Sequence, residues 1–222
     1  MPSAGAELID LSPPVGAGSP VWPGDVAYAQ QTHWPMADGS PVEVSHFTTT
    51  AHIGAHADAP AHFVAGGDPI GAVSLDPYLG PCQVIHCLAD GPRRLVGLDD
   101  IDRALCGQAL LAPRLLIRTY ARFPTHWVDD FPGLAPEVPR WLADHGGVLV
   151  GVDTASLDRT DSKTLAAHHA AYAHGVAILE NLCLDEAPPG RYELIALPLR
   201  LTTLDASPVR AVLRPCPPRR TP

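Results

Sequence analysis

Residues 52–62 read HIGAHADAPAH, and no other stretch constrains this chain as much. It places three histidines (His52, His56, His62) and Asp58 within eleven residues. His52 and His56 are four apart, which on a helix would put both on one face. The neighbouring residues reject a helix. Gly54 and Pro60 disfavour a helix interior, and Thr48, Thr49 and Thr50 just before are β-branched. In an extended chain, residues 52, 54, 56, 58, 60 and 62 share one face. A straight strand at ~3.3 Å per residue would hold His52 and His56 about 13 Å apart. That is too far for two ligands of one ion at ~2.0–2.1 Å each. The chain must bend, and Gly54 is the residue that permits it. We expect a strand that leaves its sheet near His52 and wraps around a metal.

Imidazole and carboxylate together suit zinc or another divalent ion such as manganese. Two histidines and one carboxylate leave a position for water, which is the catalytic pattern. No thiolate competes for the role. The five cysteines (82, 87, 106, 183, 216) form no CxxC pair, so neither a closed structural zinc site nor a disulfide framework is expected. Cys82, Cys87 and Cys183 lie among apolar residues and read as small core residues. A reducing cytoplasm is the simplest compartment for such a chain.

With 222 residues, 46% hydrophobic and 18% charged, the chain can build one sizeable core. The net charge is -9, and the 15 Lys and Arg residues form no basic run. This argues against nucleic acid or an anionic membrane as a partner. No stretch is long and apolar enough to span a bilayer, and MPSAGAELIDLSPP lacks the pattern of a secretory signal.

No internal repeat and no long polar linker appears, so we expect one domain over residues 1–222. VEVSHFTTTAHI alternates as a strand should. CQVIHCL (82–88), RLLIRTY (114–120), GVLVGVD (147–153), VAILENL, RYELIALPLRL and SPVRAVLRP are further strand candidates. LDDIDRALC and PEVPRWLADHGG read as helices. Residues 160–175, TDSKTLAAHHAAYAHG, read as a helix capped by Asp161 or Ser162 and ended by Gly175. Strands and helices alternate, which predicts a mixed α/β domain. Residues from about 215 to 222, ending in PPRRTP, are expected to form a flexible tail.

A second polar cluster follows. His168 and His169 sit in the alanine-rich helix, and Glu180 sits in an apolar strand. Taken alone, Glu180 would read as half of a structural ion pair and His168 as a helix-surface residue. Adjacent helical residues diverge by about a quarter-turn, so only one of the two histidines faces any one site. Asp153, ending an apolar strand, is a candidate outer partner for a ligating histidine. Trp22 lies in the VWPGD turn, where it either packs on Pro23 or meets a substrate. His33, His46, His86, His126, His145 and His174 receive no role.

HIGAHADAPAH resembles the HxGTHxDxPxH signature of the cyclase family of metal-dependent hydrolases, with Ala55 where most members have Thr. The GAHADAP form is similar to the bacterial kynurenine formamidase group within it. IDLSPPVGAGSPVWPGD, DSKTLAAHHAAYAHGVAILENL and LDASPVRAVLRP agree, so the resemblance spans nearly the whole chain. It implies a swivelling β/β/α fold, a homodimer and two zinc ions per subunit. His52, His56 and Asp58 would hold one ion, and Asp58, His168 and Glu180 the other, with Asp58 bridging. The twelve-residue interval to Glu180 selects His168 over His169. His62 would shuttle protons, and Trp22 would contact the substrate. The implied reaction hydrolyses N-formyl-L-kynurenine to L-kynurenine and formate, in tryptophan degradation. A related cyclase-family amide hydrolase, such as one that opens isatin, is the alternative.

Overall fold

The structure is a computed structural model and describes residues 7–88 and 94–216. In chain order it begins with β1 (Ile9–Asp10), the hairpin of β2 (Ala29–Trp34) and β3 (Val44–Thr48), and β4 (His56–Asp58). Next come β5 (Leu79–His86), β6 (Leu95–Val96), α1 (Leu98–Leu105) and β7 (Arg114–Arg118). Then follow β8 (Gly133–Leu134), α2 (Glu137–Asp144), β9 (Leu149–Val152), α3 (Ala166–Ala173) and β10 (Ala177–Glu180). The chain closes through β11 (Gly190–Ile195), β12 (Ala206–Pro208) and β13 (Val212–Pro215). This is the mixed α/β domain expected.

Nine strands form one sheet in the order β1-β13-β11-β5-β7-β9-β10-β4-β12. Its middle, β5-β7-β9-β10, is parallel. Each parallel step is bridged by one of α1, α2 and α3, because parallel neighbours need a crossover. Alternation along the strands feeds two cores. Cys82, Val84, Leu116, Leu149 and Leu179 pack on one face with Leu11, Tyr78 and Leu194. Ile85, Leu115, Ile117, Val150, Val152 and Ile178 pack on the other against Ile101, Leu142 and Ala167 from the helices.

Three expectations shift. The strand before the histidines, β3, belongs to a separate two-stranded sheet with β2, and all residues of both are exposed. The chain therefore returns to the main sheet, to which β1 already belongs, at His56; it does not leave it near His52. The helix expected from Thr160 begins only at Ala166, after Leu165 in the left-handed region at φ 45. Asp158 receives the first helical amides, Ala167 and His168, at 3.1 Å each, so neither Asp161 nor Ser162 is the cap. Ser162 serves one step earlier, accepting from the Leu165 amide at 3.1 Å. Pro215 still pairs with Tyr192 across the sheet, and residues 217–222 of the expected tail lie outside the described residues. Among the described residues, no helix is long and apolar enough to cross a membrane.

Candidate metal centre

The site is built on the antiparallel pair β4 and β10. Glu180 lies opposite His56, and Ile178 opposite Asp58. Residues directly opposite project to the same face. His56, Asp58 and Glu180 thus share the helix-bearing face, while Ala57 and Leu179 feed the other core. α3 crosses this face and lowers His168 onto it. His168 is 1% exposed and His169 is exposed, so one of the two faces inward, as expected. Gly54 makes the bend before β4 with φ +60, where a Cβ would lie 2.7 Å from Val15 Cγ2. That bend returns the His52 ring to within 5.0 Å of the His56 ring.

The donor atoms converge. His52 Nδ1 is 3.1 Å from Asp58 Oδ1, and His56 Nε2 is 3.4 Å from both Asp58 Oδ1 and Glu180 Oε2. His168 Nε2 is 3.4 Å from Asp58 Oδ2 and 3.2 Å from Glu180 Oε1. One donor atom from each of His52, His56 and Asp58 lies within 4.8 Å of the others, and the same holds for Asp58, His168 and Glu180. A third such set, His52, His62 and Asp205, lies at the rim.

The outer nitrogens are pinned. His56 Nδ1 donates to the Gly54 carbonyl at 2.9 Å, and His168 Nδ1 donates to Asp158 Oδ2 at 2.7 Å. Both rings therefore turn Nε2 inward, where it is an acceptor once the ring is neutral. His56 Nε2 and both Asp58 oxygens are buried without a hydrogen-bond partner; the nearby rings are close but misaligned. Lone pairs facing lone pairs in a dry interior are costly unless positive charge, a ring proton or a metal ion, lies between them. The residues fit a divalent metal on this ground.

Charge balance agrees. Burial pushes the Asp58 carboxyl up, but His168, His52 and His56 outweigh it and hold it well below the usual range. Burial and Asp58 raise Glu180, yet His168 and His56 bring it below its ordinary value. Burial lowers His168, but Asp158, Asp58 and Glu180 lift it to about 12. Burial also lowers His52, and Asp58 with Asp205 lifts it to about 9. The cluster is an excess of carboxylates that demands positive charge.

The centre opens into a cavity of about 470 Å³ whose lining includes His52, His62, His168, Glu180, Trp22 and Trp127. Trp22 is 41% exposed and meets Trp127 edge-on at 5.1 Å and Phe131 at 6.3 Å. His62 stands in the 3-10 turn Pro60–His62, with its ring 4.3 Å from that of His52.

Asp153 does not serve the histidines. It accepts from the Thr119 amide and hydroxyl and the Tyr120 amide at 2.8, 2.6 and 2.9 Å. Burial lifts its carboxyl to about 6 against these bonds. The outer partners are instead Asp158 on His168 and Asp205 on His52 and His62. Sequence reasoning missed both. LDASP carries no metal-site spacing of its own, and Asp158 sits in an unpatterned loop.

A mixed α/β domain with a buried His/Asp/Glu cluster at the end of an aromatic cavity is the arrangement of a metal-dependent hydrolase. Residues 9–159 match the Cyclase family, and the chain belongs to it. It is similar to a solved structure described as a potential metal-dependent hydrolase with cyclase activity. Their identity is 27% and the TM-score 0.78, over 95% of this chain and 99% of that one. A "predicted metal-dependent hydrolase" from Bacillus stearothermophilus is 28% identical with TM-score 0.76, over 95% and 98%. Isatin hydrolase A from Labrenzia aggregata shares the fold, with 22% identity and TM-score 0.80 over 94% and 93%. The protein is an enzyme of the metal-dependent hydrolases of the Cyclase family.

Proposed function

We propose that the protein is an arylformamidase that hydrolyses N-formyl-L-kynurenine to L-kynurenine and formate, in tryptophan degradation. One observation carries this reading: three of the metal donors, His52, His168 and Glu180, and the rings of Trp22, Tyr120, Trp127 and Phe131 line the same cavity. A flat formylanilide fits such a wall with its amide turned to the donors. The GAHADAP stretch supports the same substrate class.

In this reading His52, His56 and Asp58 would hold one zinc ion, and Asp58, His168 and Glu180 would hold a second. Such ions, when bound, lower the pKa of water from 15.7 to about 7 and polarise a carbonyl. The chain's residues do the rest. Asp58 offers two oxygens with no other partner, which suits a bridging role. Gly54 and Asp158 hold His56 and His168 in the tautomer that presents Nε2. Trp22 stacks on the substrate ring. His62 takes the proton of the attacking water and delivers it to the anilide nitrogen as the C–N bond breaks.

Formate release from N-formyl-L-kynurenine tests this, measured before chelation, after chelation and after zinc is restored. Activity that vanishes and returns is expected. A metal-loaded protein that releases no formate overturns the assignment. Isatin opening is the second reading, because isatin hydrolases share the fold, one of them bound to the product analogue thioisatinate. Assays of the two substrates at matched concentration separate the readings.

We also read the protein as a cytoplasmic homodimer. The family resemblance is joined by the exposed hairpin, which carries Trp34 at 54% and Phe47 at 63% exposure. All five cysteines are free, which suits a reducing compartment.

A further inference from the structure

We propose that Asp205 is a positioning residue: one carboxylate oxygen clamps His52 and His62 together and fixes the tautomer in which His62 moves protons. This rests on the acid–base reading of His62. Asp205 Oδ2 lies 3.0 Å from His52 Nε2 and 3.2 Å from His62 Nδ1. An ionised carboxylate can only accept, so each ring must donate to it. Neutral His62 then carries its proton on Nδ1 and its lone pair on Nε2. Neutral His52 carries its proton on Nε2, which leaves Nδ1, 3.1 Å from Asp58 Oδ1, as the donor atom toward the metal cluster. One oxygen thus sets the protonation pattern of both rings.

The register of the sheet edge places Asp205 there. Ala206 pairs with Asp58 across β12 and β4. The Ala59 amide donates to the Asp205 carbonyl at 2.8 Å, and the Ile70 amide to the Leu204 carbonyl at 2.9 Å. The strand that carries Asp58 therefore also carries the backbone that holds Asp205. The carboxylate is no part of the core, since its side chain is 43% exposed. Its side chain accepts hydrogen bonds from the two rings. Without this acceptor, the His62 proton redistributes between its nitrogens and the ring can turn.

The test uses zinc-loaded protein and whichever of N-formyl-L-kynurenine and isatin it hydrolyses. Asp205→Ala is expected to lower kcat ~10–100-fold, the usual cost of losing an outer-shell partner, with KM little changed and zinc retained. Asp205→Asn keeps one accepting oxygen and should lose less. In a His62→Ala background, Asp205→Ala should cost much less than in the parent, because the hold on His62 is already gone and only that on His52 remains to be lost. A substrate-independent readout is ¹⁵N NMR of the imidazoles, with His62 assigned by its loss in His62→Ala. His62 should carry its proton on Nδ1 in the parent protein and lose that preference in Asp205→Ala.

An unchanged kcat in Asp205→Ala, beside an inactive His62→Ala, overturns the positioning role alone. So does an equal further loss in the His62→Ala background, a loss that tracks zinc content, or a parent His62 protonated on Nε2. A His62→Ala protein with full kcat overturns the acid–base reading, and this proposal with it.

Discussion

β4–β10 and β2–β3 are both short antiparallel pairs, and they lie in opposite environments. Every residue of β4 is buried, as are Ile178, Leu179 and Glu180 of β10. Every residue of β2 and β3 is exposed. Histidine occurs in both, as His56 on β4 and as His33 and His46 on the hairpin. In water an imidazole needs nothing from the protein. In the dry interior His56 Nε2 and the Asp58 oxygens face one another unsatisfied, which is a demand for a cation. On the hairpin the apolar residues carry the demand: Trp34, Val44 and Phe47 stand in water, and an isolated two-stranded pair is marginal on its own. One region lacks a charge and the other lacks a cover.

Changing the donor charge should break the first region most. Asp58 belongs to two of the three donor sets, so Asp58→Asn should remove metal from both. The activity loss should exceed the ~10–100-fold that outer-shell changes cost. Metal analysis with kcat/KM checks it, and a protein that keeps both ions would refute the bridging role. Glu180→Gln is the gentler variant, because the Gln oxygen can still accept from the Leu157 amide, now 2.7 Å from Glu180 Oε1. It should fold normally and lose metal from the His168 side.

Chelation addresses the same demand without mutation. A ligand free at 100 times its Kd stabilises the state that binds it by about 2.7 kcal/mol. For a chain of this length, ~1 kcal/mol shifts Tm by roughly 2–4 °C. Removing metal should therefore lower Tm by roughly 5–11 °C, read by thermal denaturation with and without chelator. No shift would mean the cluster is satisfied without an ion.

What the sequence made legible follows distance along the chain. His56 and Asp58 alternate on one face because a strand has period two, and Gly54 bends the chain because its φ is +60. Those are local rules. The outer partners are not local: Asp205 reaches His52 across 153 residues and His62 across 143. Only the register of β12 on β4 brings it there. Asp158 is 10 residues from His168, yet it acts where a nearer cap was expected, because it binds the first helical amides and the ring together. Asp153 looked like such a partner by position, but three donors of the Thr119–Tyr120 loop already satisfy it. Nothing in a single sequence distinguishes a buried carboxylate with three donors from one with none.

The second region predicts a smaller effect of a different kind. If the hairpin covers itself against a second copy, Trp34→Ser with Phe47→Ser should weaken the dimer about 30-fold or more, from the ≥ 2 kcal/mol of an interface hot spot. Light scattering across a dilution series reads this. Tm at concentrations where both proteins are monomeric should barely move, since exposed positions change stability within about 0.5 kcal/mol. A dimer unaffected by both changes would place its interface elsewhere.

The smallest effect belongs to Trp22, which stands between the two regions. Like the hairpin residues it is exposed, and like the donors it faces the cavity. Exposure here has a different cause: Trp127 and Phe131 meet the ring in T-shaped contacts rather than stacking over it, and the residue stays 41% exposed in the cavity wall. An aromatic pair is worth ~0.5–1.5 kcal/mol beyond area burial, so Trp22→Ala should raise KM about 2–12-fold and leave kcat near its original value. Trp22→Phe keeps a ring and should recover most of the loss. The same variants should leave metal content and dimer affinity unchanged. A kcat loss instead would mean that Trp22 orients the amide toward the donors, and the aromatic wall would then belong to the metal centre as well as to substrate binding.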